Sequence, residues 1–316
     1  MSALETIQLR VHGDATLPTL IYLPGLHGDW TLVSSFRATV AGRVRFGEFT
    51  YPCRTDWTLE DYARGVVEQL AAHGITSGWM LAESFGSQVA WKILELVASG
   101  VSPDVEPRRP ARRNEREQVC DAEELRGSDR AAGRQPSTSG RMPDTTGQEH
   151  FQPLGLILAG GFVRHPVTLG VHGFHFAQRR IPWPCFQLLL KFYARYARLR
   201  HRQAPETLAA IDEFVRRRTR ADNLAIASRY PLIARADFRD TARRTTLPVF
   251  ALAGFFDPIV AWPFVHPWLR RNCPGFRERR IIFNADHNVL ATTPQKSAEQ
   301  VLRWMNVPPA SRRVET

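Results

Sequence analysis

The sequence is poor in cysteine, poorer still in lysine, and has no long apolar run. Its 316 residues include four cysteines, Cys53, Cys120, Cys185 and Cys273. They are scattered, with no CxxC pair and no metal-ligand spacing. That sets aside a zinc site and a disulfide framework, and fits free thiols in a reducing, cytoplasmic compartment. No apolar stretch approaches the ~20 residues that a membrane-spanning helix needs. The N-terminal MSALETIQLRVHGD has no basic start followed by an apolar run, so no secretory leader is expected. Lys92, Lys191 and Lys296 are the only lysines, so arginine carries nearly all of the net charge of +11. With lysine so rare, where the arginines fall says more than the choice of residue.

What is present is enough apolar content, 43%, for one large core plus an insertion. Residues 19–23 (TLIYL) form a short apolar run that reads as a buried strand. A helix is expected at 31–40, and a strand at 43–51, where Val44, Phe46 and Phe49 alternate with polar residues. An amphipathic helix is expected at 59–73, closed by Gly74, then a strand at 79–81 and a helix at 85–98. Alternating strand and helix imply an α/β domain with a mostly parallel sheet. The pattern stops at Gly100. Residues 101–150 hold nine arginines against ten acids and almost no apolar clusters, so they are expected to be a disordered insertion. LGLILA, at 154–159, resumes the strands. The stretch 165–245 reads as helical, with helices at 186–202 and 206–218 and with Pro182, Pro184 and Pro205 as breakers. A strand at 248–253, a helix near 262–271, a strand at 280–284 and a helix at 294–305 complete the chain. The expected layout is therefore an α/β core in two parts, 1–164 and 246–316, around a helical block at 165–245.

LAESFGSQVAW, residues 81–91, places Ser84 between a strand and a helix. A serine hydroxyl becomes a useful nucleophile only with a base, an acid to orient that base, and donors for an oxyanion. A sharp strand-to-helix turn presents such a serine, and its crowding demands small residues two before and two after. Ala82 and Gly86 meet that demand. Taken alone, Ser84 could equally be a helix-capping hydroxyl. Upstream, LIYLPGLHGD (20–29) ends a strand in a loop where Gly25 and Gly28 permit close approach. Such a loop can offer one oxyanion N–H, and Phe85, which follows the serine, offers the other. Downstream, LAGFFDPIV puts Asp257 just past one strand and IIFNADHNVL puts His287 just past the last. The order Ser84, Asp257, His287, each at a C-terminal strand end, is that of an α/β-hydrolase triad.

The sequence resembles the α/β-hydrolase superfamily over residues 17–100, 153–164 and 246–305. LPGLHGD is similar to the PG-L-x-G oxyanion loop of esterase- and thioesterase-like members, AESFGSQVA to their nucleophile elbow, and GFFDPIV and DHNVL to their acid and histidine loops. It departs from the family in having Ala82 where glycine is commonest and Asp286 rather than glycine before the histidine. The resemblance implies a mostly parallel sheet flanked by helices, with 165–245 as a helical cap over the acyl or alcohol pocket. It implies that Leu26 carries the second oxyanion N–H. It also implies an ester or thioester as small-molecule substrate, with no cofactor and no metal. An acyltransferase would use the same groups, and a non-catalytic binding module could keep the same fold.

His165, His172 and His175 cluster where the helical block begins, but without a companion carboxylate they read as polar contacts and not as a metal site. His27 is expected to brace its loop, and Glu83 to bond loops behind the site. Trp262, Phe264 and Trp268 are expected to pack. The charge is concentrated: 165–245 holds fifteen arginines and one lysine against six acids. Arg195, Arg198, Arg202 and Arg216–Arg218 are closely spaced. The group is either a solvated arginine-rich face or an attractor of an anionic carrier or surface; nucleic acid is disfavoured, since no recognition motif accompanies it.

Overall fold

In the computed structural model, residues 6–99, 151–200 and 205–306 are described. The 101–150 insertion, its expected disorder, and Arg202 lie outside them. Among the described residues there are seven strands: β1 (Gln8–His12), β2 (Thr19–Leu23), β3 (Arg45–Thr50), β4 (Ser77–Glu83), β5 (Gln152–Ala159), β6 (Val249–Gly254) and β7 (Phe276–Ile282). They form one sheet in the order β1-β3-β2-β4-β5-β6-β7. β1 pairs antiparallel with β3, and every other pairing is parallel.

Period-two alternation explains why the sheet needs cover on both faces. Ile21, Leu23, Met80, Ala82, Leu156 and Leu158 enter one buried cluster with helices α2 (Leu59–Ala72) and α3 (Gly86–Ala98). Leu20, Tyr22, Leu81, Ile157 and Ala159 enter the other, with α1 (Ser34–Val40). Between β5 and β6 come α4 (Thr168–Arg180), α5 (Trp183–Arg200), α6 (Pro205–Arg217), α7 (Arg220–Arg235) and α8 (Arg239–Arg244). After β6 come α9 (Trp262–Asn272), α10 (Val289–Thr292) and α11 (Pro294–Trp304).

Three expectations need correction. β1 was not anticipated, because QLRVH is a half-exposed edge strand with little apolar contrast. The last strand runs over Phe276–Ile282 and not 280–284. Its polar FRERRII is recruited by pairing with β6, including Phe250↔Glu278 and Gly254↔Ile282. Pro184 does not break a helix. It sits in the first turn of α5, where its missing N–H costs nothing.

Candidate active site

Ser84 leaves β4 with φ +49°, a left-handed conformation that a residue with a Cβ adopts only when its surroundings impose it. Those surroundings are visible. Its N–H donates to the Ala159 carbonyl (3.1 Å), and its carbonyl accepts from the Ser87 N–H (2.9 Å). The Phe162 carbonyl then accepts from Gln88 Nε2 (2.9 Å) and Trp91 Nε1 (3.2 Å), fastening α3 to the end of β5. A Cβ on Gly86 would lie well inside contact distance of the Leu23 carbonyl. That is why the position two after the serine must be glycine.

His287 follows β7, with Nε2 2.9 Å from Ser84 Oγ and Nδ1 2.8 Å from Asp257 Oδ2. An ionised carboxylate only accepts, so Nδ1 carries the proton and Nε2 is left to accept from the serine hydroxyl. Asp257 is itself fixed, because its Oδ1 accepts from the N–H groups of Ile259 and Val260, both at 2.8 Å. Asp286 turns the other way and caps its own loop through the Asn288 N–H (3.0 Å). Burial disfavours a charged His287. The hydrogen bond and charge of Asp257, helped by Glu83 and Asp286, outweigh that, and its pKa is raised above 6.5. The arrangement can move a proton from a hydroxyl to a ring nitrogen and hold the resulting imidazolium.

The loop after β2 lies against this group. A Cβ on Gly25 would stand 3.4 Å from Ser84 Cβ. Among the described residues no acceptor engages the backbone N–H of Leu26 or of Phe85. Arg229 of α7, only 1% exposed, holds the loop from behind. Its Nη1 donates to the Leu26 carbonyl (2.7 Å), its Nη2 to the Pro52 carbonyl (3.1 Å) and its Nε to the Tyr62 hydroxyl (3.1 Å). The guanidinium fills the space a Cβ on Gly28 would take, and Gly28 has φ +75°. Beside it, buried Arg218 pairs with Asp29 of the same loop. His27 lies edge-on to Phe214 of α6, with centroids 4.6 Å apart. Burial, then the charges of Arg218 and Arg229, push its pKa down to about 3.

Arg229 was missed in the sequence, yet a signal exists. It lies three residues after Ile226 and four before Ile233, both buried, so it occupies the apolar face of its helix. Several other expectations change. Arg218 is a buried brace, Arg216 and Arg217 pair with Glu213, and Arg198 pairs with Asp212, so these four are not a free basic field. Phe264 does not pack; it is 71% exposed. Glu83 is buried and accepts from the Tyr22 hydroxyl of β2, and burial raises its pKa against that bond. His165 accepts from the Val167 N–H (3.2 Å) and lies edge-on to Phe162. Among the described residues no His, Cys, Asp or Glu group is arranged to hold a metal, and no helix is long and apolar enough to cross a membrane.

This chain has the α/β-hydrolase fold. It is similar to an esterase from Thermogutta terrifontis at TM-score 0.63 and 15% identity, over 95% of this chain and 93% of that one. It is similar to a hydrolase from Pseudomonas aeruginosa PA01 at TM-score 0.65 and 15% identity, over 97% and 98%. It also resembles an enol-lactonase from Burkholderia xenovorans at TM-score 0.60 and 14% identity, over 95% and 96%. No family model and no curated protein matches the sequence.

Proposed function

We propose that this protein is a serine hydrolase that cleaves a carboxylic ester or thioester through an acyl-enzyme on Ser84. The observation that carries the reading is the continuous chain from Ser84 Oγ through His287 to Asp257, at 2.9 and 2.8 Å. Ser84 attacks the carbonyl carbon while His287 Nε2 takes its proton. His287 then gives that proton to the leaving alcohol or thiol. Asp257 holds the Nδ1–H tautomer and stabilises the imidazolium. The N–H groups of Leu26 and Phe85 receive the oxyanion. Water, deprotonated by the same imidazole, releases the acid and restores Ser84. These steps use the chain's own groups and water. That the structurally similar proteins include esterases and a lactonase supports acyl chemistry here.

Helices α4–α8, within 165–245, act as the cap in this reading and shape the acyl pocket. The chain is placed in the cytoplasm, where its unpaired Cys53, Cys185 and Cys273 would remain reduced. The test is steady-state kinetics on p-nitrophenyl and acyl-thioester substrates, with and without an acceptor alcohol. Hydrolysis that Ser84→Ala abolishes is expected. Ester product formed in preference to free acid would make the enzyme an acyltransferase instead. A folded protein without turnover on either class would favour a binding module.

A further inference from the structure

Helices α4 and α5 carry no acid. Their sequences, TLGVHGFHFAQRR and WPCFQLLLKFYARYARLR, contain five arginines and one lysine. A helix of a folded domain ordinarily hides its apolar side, and the inner side of α5 does so. Ala194 is 3% exposed and clusters with Ile211 and Val215 of α6. Yet a second apolar stripe faces outward. Leu188, Leu189, Phe192 and Leu199 recur at helical spacing and are 53–68% exposed, and Phe174 and Phe176 of α4 are each 62% exposed. Phe176, Leu188, Leu189 and Phe192 line an open groove of about 570 Å³ between the two helices. Exposed phenylalanines and leucines gathered this way mark a surface that meets something apolar.

The charge identifies the partner. Exposed Arg179, Arg180, Lys191 and Arg195 alternate with the apolar side chains along both helices. The Arg180 guanidinium lies 3.5 Å from the centroid of Phe176. A protein partner of ordinary kind buries an apolar centre from which charge is depleted, whereas here a cation stands within about a turn of Phe176, Leu188, Leu189, Phe192 and Leu199 along their helices. A second copy of the same face would oppose two acid-free cationic surfaces. An anionic bilayer fits both properties. Apolar side chains reach the acyl boundary, and arginine and lysine stems lie along it with their heads among the phosphates.

We propose that α4 and α5 form a peripheral docking surface for an anionic lipid bilayer. Binding at this surface does not depend on turnover at Ser84. Its cations are distinct from Arg218 and Arg229, which are committed to the loop after β2.

The test is cosedimentation of the full chain with vesicles of phosphatidylcholine alone or mixed with phosphatidylglycerol. Binding to the mixed vesicles is expected, falling as salt is raised, with little binding to the neutral ones. Lys191→Gln and Arg195→Gln should each weaken the partition about fivefold, from roughly 1 kcal/mol per basic residue at an anionic surface. The double change Leu188→Ser, Phe192→Ser should weaken it at least as much. Circular dichroism of these variants is the folding control, and it should be unchanged. The composition comparison on the unaltered chain stands even if a variant fails to fold. Equal binding to both vesicle types, or none to either, overturns the proposal. So does retention by a soluble acidic polypeptide that responds to Lys191→Gln but not to the apolar change, which would assign the face to an acidic protein. A dimer dispersed by the apolar change, seen in sedimentation equilibrium, would assign it to a second copy.

Discussion

Asp286 is the acid nearer to His287 in sequence, and Asp257 is the nearer in space. The Asp286 carboxylate is occupied by the Asn288 N–H, whereas Asp257 reaches the ring from the preceding strand's loop at 2.8 Å. If Asp257 holds the tautomer, Asp257→Asn lowers kcat by ~10³–10⁴-fold with the fold intact, while Asp286→Asn costs about tenfold or less. Steady-state kinetics on a p-nitrophenyl ester, with circular dichroism as the control, separates the two. A crippling Asp286→Asn beside a mild Asp257→Asn would reverse the assignment. The pH profile gives a second check. As base, His287 must be neutral, and its pKa is raised above 6.5. The acid limb of kcat/KM should therefore have its midpoint above 6.5. Removing the Asp257 charge leaves burial less opposed, so residual activity of Asp257→Asn should persist to lower pH. A midpoint that stays put in that variant would mean that another group is being titrated.

Among the elements, α7 reaches into the site from outside the sheet. Its Arg229 is the only side chain described that bonds the Leu26 carbonyl, at 2.7 Å, and it does so while bonding Pro52 and Tyr62 as well. A lysine cannot present three donors in that fork. Arg229→Lys should therefore lower kcat several-fold while KM changes little, because the loop's N–H groups are needed where oxyanion charge develops. Equal activity with only a lowered melting temperature would reduce Arg229 to a stabilising role. This dependence was nearly invisible in the sequence, and physical reasons explain why. β2, β4, β5 and β6 announced themselves as apolar runs because both faces of a parallel sheet are buried. β1 and β7 lie at the edges, where pairing with a neighbour rather than side-chain pattern defines the strand. Ser84, Asp257 and His287 were legible because each stands past a strand end among residues the turn constrains. Arg229 lies in an arginine-rich helix, and only its spacing from Ile226 and Ile233 distinguishes it.

Across the molecule, buried histidines set an acid-side limit on stability. His266 is buried and His27 half-buried, each with a buried Nδ1 that has no partner. Burial lowers their pKa values to about 3 and about 4. The unfolded chain takes up protons at these residues from about pH 6.5 downward, while the folded chain does so only near their lowered values. Stability should therefore be full above about pH 6.5 and decline as the pH falls toward 4. His287 and Glu83, both raised, work in the opposite sense, against these two, the also-lowered His165 and His175, and the lowered Asp222 and Asp237. Urea midpoints measured at pH 7 and pH 5 should differ in that direction, and His266→Gln should narrow the difference. A midpoint higher at pH 5 would contradict it.

The account rests most heavily on one hydroxyl at a left-handed turn being the nucleophile. Fluorophosphonate labelling of the full chain, followed by intact mass and peptide mapping, addresses it directly. The account predicts a single adduct on Ser84, absent in Ser84→Ala and strongly slowed in a folded His287→Ala. A folded, unaltered chain that takes up no probe, or an adduct on a different serine, would contradict it.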